Sequence, residues 1–429
     1  MIDYHRISAD QFASLATSLG GSAAVTRLAA AQSSKRRLLL RYAMHARPDA
    51  DLRSAIDVLI SADQRDRRTV ANLIGDPLVG TWVAWTVRRL LGRVDSGIPI
   101  DDDLAQVGAL AAAAALRTGL EASIPTRARE GRVTLPGFGT AMIGSSGPVV
   151  ISVAGGLATV SGNAGTVRVT TDDPRWQPLR HLSARFGAHI GTVAVEDCSP
   201  YRDSYHAPPA ARLPPDDFRE WQEMFDHAWA LLGRNLPART AELAAGLRTV
   251  VPLAADTDDA ARSGTTRDSF GALGLTRPQS EVEFAVTIVH EFQHSKLSGL
   301  LDLVPLIMAG GKERHFAPWR SDPRPTGGLI HGVYAFLGVA DTWRALRAEP
   351  GLERQATHEF AIVRQQVDAG LTSLENSAEL TVAGRAFVAG LRATSNVLMA
   401  EPVPSPVAAE AAVELAECRR AWDDRHRGS

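Results

Sequence analysis

The chain has 429 residues, of which 45% are hydrophobic and 22% charged, a composition typical of a soluble globular protein with a full apolar core. Its 46 Lys and Arg nearly balance its 48 Asp and Glu, so neither nucleic acid nor a membrane surface is an expected partner. The N-terminus lacks the apolar core of a signal peptide, and no apolar stretch reaches the roughly 18 residues of a membrane span. With two distant cysteines, Cys198 and Cys418, these features predict a cytoplasmic protein without disulfides.

Three regions follow one another along the chain. Residues 1–130 are rich in Ala, Leu and Arg at helical spacing. Residues 131–212 contain β-branched runs separated by Gly, Ser and Asn clusters, which predict short strands. Residues 213–429 are again helical, apart from a loop at 305–328. The expected fold class is α+β, predominantly helical, with a small antiparallel β region around 131–197; the three regions are expected to pack as one unit.

The segment FREWQEMFDHAWALLGR has apolar residues at helical spacing, among them Trp221, Phe225 and Trp229. An aromatic stripe of this kind predicts a core-facing helix, and the alternative is a shelf for a substrate.

The segment TIVHEFQHSKL carries the strongest chemical signal. His290 and His294 are four residues apart, so on a helix both rings lie on one face and point at one metal ion. Ser280 and Glu283 form a predicted capping box at the start of that helix. The alternative is two core histidines satisfied by other partners, although the H-E-x-x-H pattern and the burial of three polar side chains favour a metal.

Glu291 is rotated by about 100° from His290 around the helix, so it is predicted to orient a metal-bound water or to work as a base. A third protein ligand is needed, and His331 is preferred because it opens a second helical stretch directly after two glycines. The other candidates for this ligand are His315, Glu313 and Asp322.

Known zinc peptidase patterns fit poorly beyond the core motif. A metzincin requires glycine and histidine where this chain has Leu297 and Leu300. A thermolysin-like enzyme requires a helix-borne glutamate some 20 residues on, and Glu313 lies in a segment that does not predict a helix.

The loop between the two histidine helices contains Arg320 and Arg324 in the segment HFAPWRSDPRPTGG. Arginine binds carboxylates bidentately, so a metal-bound 2-oxo acid whose far carboxylate meets one of these arginines is one interpretation. The alternative is a surface salt bridge to Asp322.

These segments, HEFQHSKLSGLLDLVPL followed by FAPWRSDPRPTGGLIHGVYAFLGVADTWR, resemble the HExxH motif-containing peptide-modification family, 2-oxoglutarate-dependent peptide β-hydroxylases of ribosomal peptide pathways. The resemblance covers most of the chain, including the less specific segments DDPRWQPLRHL and TTRDSFGA. It implies iron(II) held by His290 and His294, with 2-oxoglutarate as co-substrate. It leaves the third ligand open, and it suggests that Thr266 and Arg267 line the cleft.

The expected function is therefore iron(II)- and 2-oxoglutarate-dependent hydroxylation of a β-carbon in a ribosomally made precursor peptide. The expected partners are that peptide and another maturation enzyme of the same pathway. Two alternatives stay open: a zinc metallopeptidase with Glu291 as base, and a non-catalytic peptide-binding partner of a maturation enzyme.

Overall fold

The computed structural model describes residues 5–47, 49–205, 207–255 and 261–426. The helices are α1 (Ala9–Ala16), α2 (Gly21–Ala46), α3 (Ala50–Arg65), α4 (Arg67–Ile74), α5 (Pro77–Leu90), α6 (Ile100–Leu104), α7 (Gln106–Thr118), α8 (Pro215–Asn235), α9 (Pro237–Gly246), α10 (Glu281–Leu301), α11 (Thr326–Leu346), α12 (Glu353–Glu375), α13 (Val382–Ala400) and α14 (Ser405–His426). The strands are β1 (Ala122–Ala128), β2 (Arg132–Leu135), β3 (Gly139–Met142), β4 (Gly147–Ala154), β5 (Leu157–Gly162), β6 (Gly165–Arg168), β7 (Trp176–Pro178), β8 (Arg180–Phe186), β9 (His189–Val195), β10 (Thr249–Pro252), β11 (Ser263–Gly264) and β12 (Ala272–Leu275). Across these ranges, no helix has the length and apolar character needed to cross a membrane.

The strands form three sheets. Two are antiparallel, with strand orders β1-β4-β5-β6 and β2-β3-β7. The third has the order β11-β12-β10-β9-β8 and is mixed, because β10 runs parallel to both β9 and β12. The predicted α+β class, mostly helical with small antiparallel sheets, is confirmed.

Two parts of the β structure fall outside the predicted β region. Strand β1 begins at Ala122 and pairs in register with β4, although its segment was predicted to be helical. Strands β10 and β12 lie within the predicted helical region 213–429. Each has four residues, all buried, and so short an apolar run carries no periodicity that separates a central parallel strand from a helix.

Two large hydrophobic clusters divide the chain differently from the three predicted regions. One joins α3, α4, α5 and α7 to the antiparallel sheets, and it includes Leu110 of α7 and Ile151 of β4. The other surrounds the mixed sheet and α8 to α13. Helix α2 belongs to both, since Leu28 lies in the second cluster and Leu40 in the first. This long helix therefore connects the N-terminal helices to the part of the chain that carries the histidines.

Helix α8 confirms the core interpretation of the aromatic stripe. Trp221 and Trp229 are only 2% and 1% exposed. The Trp221 ring meets Phe284 of α10 edge-on, with ring centroids 5.8 Å apart. Trp221 thus packs against the buried side of α10, and the burial of both tryptophans excludes them as a substrate shelf.

Candidate metal centre

Helix α10 forms where the sequence predicts it. Ser280 is its N-cap and accepts a hydrogen bond from the Glu283 amide at 3.1 Å. The Glu283 carboxylate accepts from the Gln279 amide at 2.8 Å, so only the Ser280 half of the predicted capping box is present. Most of the helix circumference is buried, and among its partly accessible residues four recur at helical spacing on one face: Thr287, His290, His294 and Ser298.

His290 and His294 converge on that accessible face. Their Nε2 atoms are 3.1 Å apart, and their ring planes are inclined at 80°. Two nitrogens each about 2.1 Å from one ion, at a near right angle, are about 3 Å apart, so the pair fits two ligands of one metal. A hydrogen bond between the rings gives a similar distance, and a metal analysis separates the two arrangements.

His331 lies in the first turns of α11, beside this pair. Its ring centroid is 5.6 Å from that of His294, and the planes are inclined at 39°. Across the described ranges, no three His, Cys, Asp or Glu side chains form a group with ligand geometry. His331 is thus close to the pair, and its ligation stays a prediction.

Two glycines of α11 allow close packing, Gly338 against α10 and Gly332 against Trp319 of the preceding loop. A Cβ at Gly338 would lie 2.8 Å from the Gln293 side chain of α10, and one at Gly332 would lie 2.3 Å from the Trp319 indole. Both distances are too short for a real contact. Of the two glycines singled out in the sequence, Gly327 would place a Cβ in an ordinary contact of 3.7 Å, whereas a Cβ at Gly328 would lie 3.1 Å from Arg324 Nε, a tight contact with the loop that precedes α11.

The three imidazoles favour the neutral state. Burial lowers the pKa of His290 to about 4, and burial together with the Arg267 charge lowers that of His331 to about 4. The pKa of His294 falls well below its ordinary value through burial and the charges of the other two rings. Neutral imidazole is the form that binds metal, so the burial of these rings suits a metal centre.

The Glu291 carboxyl group lies between the His290 ring and strand β11. Its Oε1 accepts a hydrogen bond from the Ser263 hydroxyl at 2.7 Å and lies 3.9 Å from His290 Nε2. Burial raises its pKa to about 7, although hydrogen bonds from the Ser263 and Thr265 side chains oppose the rise. Its Oε2 is buried without a hydrogen-bond partner. This carboxyl is therefore able to hold or release a proton near neutral pH beside the histidine pair.

The predicted arginine pair binds Asp322. Arg320 Nε and Arg324 Nη1 donate to its two carboxylate oxygens at 2.8 and 3.1 Å. These contacts lower the pKa of Asp322 to about 2. The salt bridge that the sequence left as an alternative is thus formed, and a carboxylate ligand would have to share or replace it.

The other candidates for a third ligand are held elsewhere. His315 Nε2 is hydrogen-bonded to Thr326 Oγ1 at 2.9 Å and lies 3.4 Å from Glu313 Oε2. The Glu313 carboxylate in turn accepts from the Ala378 amide. Asp322 is held by its two arginines, so this loop is stabilised by its own polar network.

Ser263 and Arg267, in the segment that precedes α10, lie near the candidate metal centre. Ser263 belongs to the edge strand β11, and nothing in its local sequence identifies it as a partner of Glu291. Arg267, in TTRDSFGA, binds Asp302 at the end of α10, with an Nη2 to Oδ1 distance of 2.5 Å. Its side chain is 65% exposed, and its charge reaches His331. Arg267 is therefore paired with Asp302 and close enough for its charge to act on His331.

Aromatic rings form one wall of the centre. Phe336 of α11 meets the His290 ring edge-on at a centroid distance of 5.1 Å. Trp319 stacks on Phe336 at 4.7 Å with an interplanar angle of 17°. This wall fixes the orientation of the His290 ring and shields that side from water.

A scan against protein-family models and a search of curated proteins each give no match to this chain.

Proposed function

We propose that this protein is an iron(II)- and 2-oxoglutarate-dependent hydroxylase that acts on a β-carbon of a ribosomally made precursor peptide. The observation that carries the proposal is the pair of imidazole nitrogens 3.1 Å apart on the accessible face of α10. The choice of iron rests on the family resemblance of the segments around the two histidines.

In this proposal His290 and His294 hold the metal and His331 supplies the third ligand. When bound, iron(II) supplies the oxidation chemistry, in which dioxygen and 2-oxoglutarate give succinate, carbon dioxide and one hydroxyl group on the peptide. Three protein ligands on one face would leave positions for the co-substrate and oxygen. The aromatic wall keeps the His290 ring in place, and the neutral imidazoles need lose no proton to bind.

The mixed sheet offers a place for an extended peptide. Strand β11 is at the end of that sheet, and its Ser263 side chain is bonded to Glu291 of the histidine helix. An edge strand has backbone groups available for a further strand, and a peptide paired there would pass close to the histidines. This arrangement supports a peptide as the substrate.

Two sets of arginines are available for the far carboxylate of 2-oxoglutarate. Arg320 and Arg324 already share Asp322, so a new carboxylate there competes with an ion pair. Arg267 shares Asp302 with Lys35 and is largely exposed. We retain Arg320 and Arg324 as the co-substrate residues and add Arg267 as their competitor for this role.

A zinc metallopeptidase is the second candidate, because Glu291 favours it. A carboxyl with a pKa of about 7 beside two metal-binding histidines suits a base that activates a metal-bound water. The two reactions leave different products: a peptidase cuts the peptide without oxygen or 2-oxoglutarate, whereas the hydroxylase leaves it intact and one oxygen atom heavier.

The test begins with metal binding. The protein is loaded with iron(II) without oxygen, and 2-oxoglutarate is added while the visible charge-transfer band is followed. His290→Ala and His294→Ala should each remove most of the bound metal, and the exposed His358→Ala is the matched control. Equal metal content in the wild type and both ligand variants rejects the metal centre.

The reaction is tested next with precursor peptides encoded near the gene. With iron(II), 2-oxoglutarate and air, we expect an intact hydroxylated peptide and an equal amount of succinate, both lost when 2-oxoglutarate is omitted. Peptide fragments formed anaerobically with zinc would establish the peptidase instead. A peptide that binds but is neither cut nor hydroxylated would favour the non-catalytic partner.

A further inference from the structure

A cavity of about 920 Å³ lies between the N-terminal helices and the mixed sheet. It is lined by residues of α2, α4 and α7 on one side and of β8, β9 and the start of β10 on the other. Neither metal histidine of α10 nor His331 lines it. The cavity is therefore separate from the candidate metal centre.

Positive charge dominates the lining. Five arginines face one aspartate: Arg36, Arg37, Arg67, Arg117 and Arg248 against Asp76. The Asp76 carboxylate is occupied by capping α5, where it accepts from the Leu78 amide at 2.8 Å. Burial raises the pKa of Asp76, although the Leu78 amide and the Arg36 charge oppose the rise.

Most of these arginines have no carboxylate of their own. Within the described ranges, Arg36, Arg117 and Arg248 form no ion pair, and their hydrogen bonds go to backbone carbonyl oxygens. Arg37 and Arg67 share Asp63, at 3.3 and 4.0 Å. The charges of Asp76 and Asp268 act on Arg36, but five arginines against one aspartate leave the lining with a net positive charge, which favours an anionic ligand.

Two buried side-chain nitrogens of lining residues have no hydrogen-bond partner among the residues that the structure describes. Arg36 is 3% exposed, and its Nε forms no hydrogen bond. His5 Nδ1 is likewise buried without a partner, while its Nε2 is 2.7 Å from the Ser34 hydroxyl. The Arg36 Nε atom lies against α5, since a Cβ at Gly80 would be 2.5 Å from it, and the Arg36 guanidinium group is held at the cavity by the Gly75 carbonyl oxygen.

Residues that line the cavity also pack against α10, the helix that carries His290 and His294. A Cβ at Gly246, in the lining, would lie 2.5 Å from the Phe292 ring of α10, and the Phe270 ring packs against Gly299 of the same helix. The lining therefore touches the buried side of α10, whose accessible side carries the histidines. A flexible peptide held here would raise the effective concentration of its modifiable residue at the histidines.

We propose that this cavity binds an acidic segment of the peptide substrate, with Glu or Asp carboxylates on Arg67, Arg117 and the neighbouring arginines. The inference rests on the proposed function for the identification of the ligand as a peptide. The volume exceeds the space of one carboxylate or phosphate, and Ala29 and Ala30 of α2 leave room for a main chain.

The test measures binding of fluorescein-labelled hexaglutamate to the metal-free full-length protein by anisotropy. Hexaglutamine and hexalysine of the same label are the comparison probes. We expect hexaglutamate alone to bind, more weakly as salt rises. Arg67→Gln/Arg117→Gln should weaken binding about tenfold or more, since two charge-assisted contacts are lost. Arg68→Gln, on the same helix but outside the lining, should bind as the wild type does.

The folding of each variant is checked by circular dichroism. If the double variant fails to fold, Arg67→Gln alone, with a 72% exposed side chain, should still weaken binding. Equal binding of hexaglutamate and hexaglutamine, or unchanged binding in the folded arginine variants, overturns the inference. Inorganic pyrophosphate that binds more tightly than hexaglutamate also overturns it, because the site would then serve a small anion.

Because no metal or turnover is involved, this test and that of the proposed function fail separately. A protein that binds hexaglutamate in the cavity but hydroxylates no peptide retains the acidic-segment site and rejects the proposed reaction. A protein that hydroxylates its peptide but does not bind hexaglutamate supports the proposed reaction and rejects the acidic-segment site.

Discussion

A buried ion pair beneath the candidate metal centre gives the most direct test of how α10 is held. Lys296 follows His294 by two residues, and its Nζ donates to Glu242 Oε2 at 2.7 Å and to the Ser18 carbonyl at 3.1 Å. Lys296 and Glu242 are 0% and 2% exposed. The other Glu242 oxygen accepts from the Gly21 amide at 2.7 Å. The pair therefore joins α10 to α9 and to the start of α2.

Lys296→Met removes the cation and leaves the Glu242 carboxylate buried with amide donors only. Breaking a buried pair in this way costs about 3–5 kcal/mol of unfolding free energy. Glu242→Gln retains an acceptor for the Gly21 amide and leaves Lys296 unpaired, at a similar cost. The double variant removes both charges of this pair and should lose only about 2 kcal/mol or less. The coupling between the two positions should therefore be at least about 2 kcal/mol.

Urea unfolding of the four proteins, followed by tryptophan fluorescence, measures these free energies. The slope of the transition must stay constant for the comparison to hold. A Lys296→Met variant that loses less than about 1 kcal/mol, or a double variant whose loss equals the sum of the single losses, would refute the reasoning.

Three further predictions concern the centre and a distant carboxyl. His331→Ala should weaken iron(II) binding while the visible spectrum of the residual complex changes, since a ligand is lost. Arg320→Gln or Arg324→Gln should retain metal and raise the 2-oxoglutarate concentration required, and Arg267→Gln should do so instead if that arginine binds the carboxylate. Glu196→Gln should flatten the pH dependence of stability between pH 5 and 8, where the wild type should lose about 2–3 kcal/mol through this carboxyl.

The Glu196 prediction depends on the direction in which the pKa of this carboxyl is shifted. Burial, followed by the Asp76 charge, raises the pKa of Glu196 to about 7 from its ordinary value of 4.5. The protonated form is favoured in the folded state, so the stability contribution is complete below pH 4.5 and is lost as the pH rises through 7. Glutamine retains an acceptor for the Ser199 amide and does not ionise. A variant with the same pH dependence as the wild type would contradict this account.

The predictions for His331 and for the arginines are each tested against the wild type. Metal content and affinity after His331→Ala equal to those of the wild type would exclude His331 as a ligand. The arginine variants are compared by 2-oxoglutarate titration at constant iron. An unchanged titration in all three would mean that none of these guanidiniums binds the carboxylate.

The sequence by itself determined α10, its cap and its two histidines. Helix periodicity, the Ser280 cap and the four-residue spacing of His290 and His294 are local properties, so neighbouring residues are enough to predict them. The buried stripe of α8 was predictable for the same reason.

Only the tertiary structure decided which distant groups surround those histidines. Ser263 reaches Glu291 because the edge strand β11 lies beside α10, and Lys296 meets Glu242 because α9 packs under it. The short strands β10 and β12 are fixed by pairing between segments far apart in the chain, and their four-residue runs carry no period of their own. Contacts of this kind arise when separate elements bury their apolar faces together, so the local sequence does not specify them.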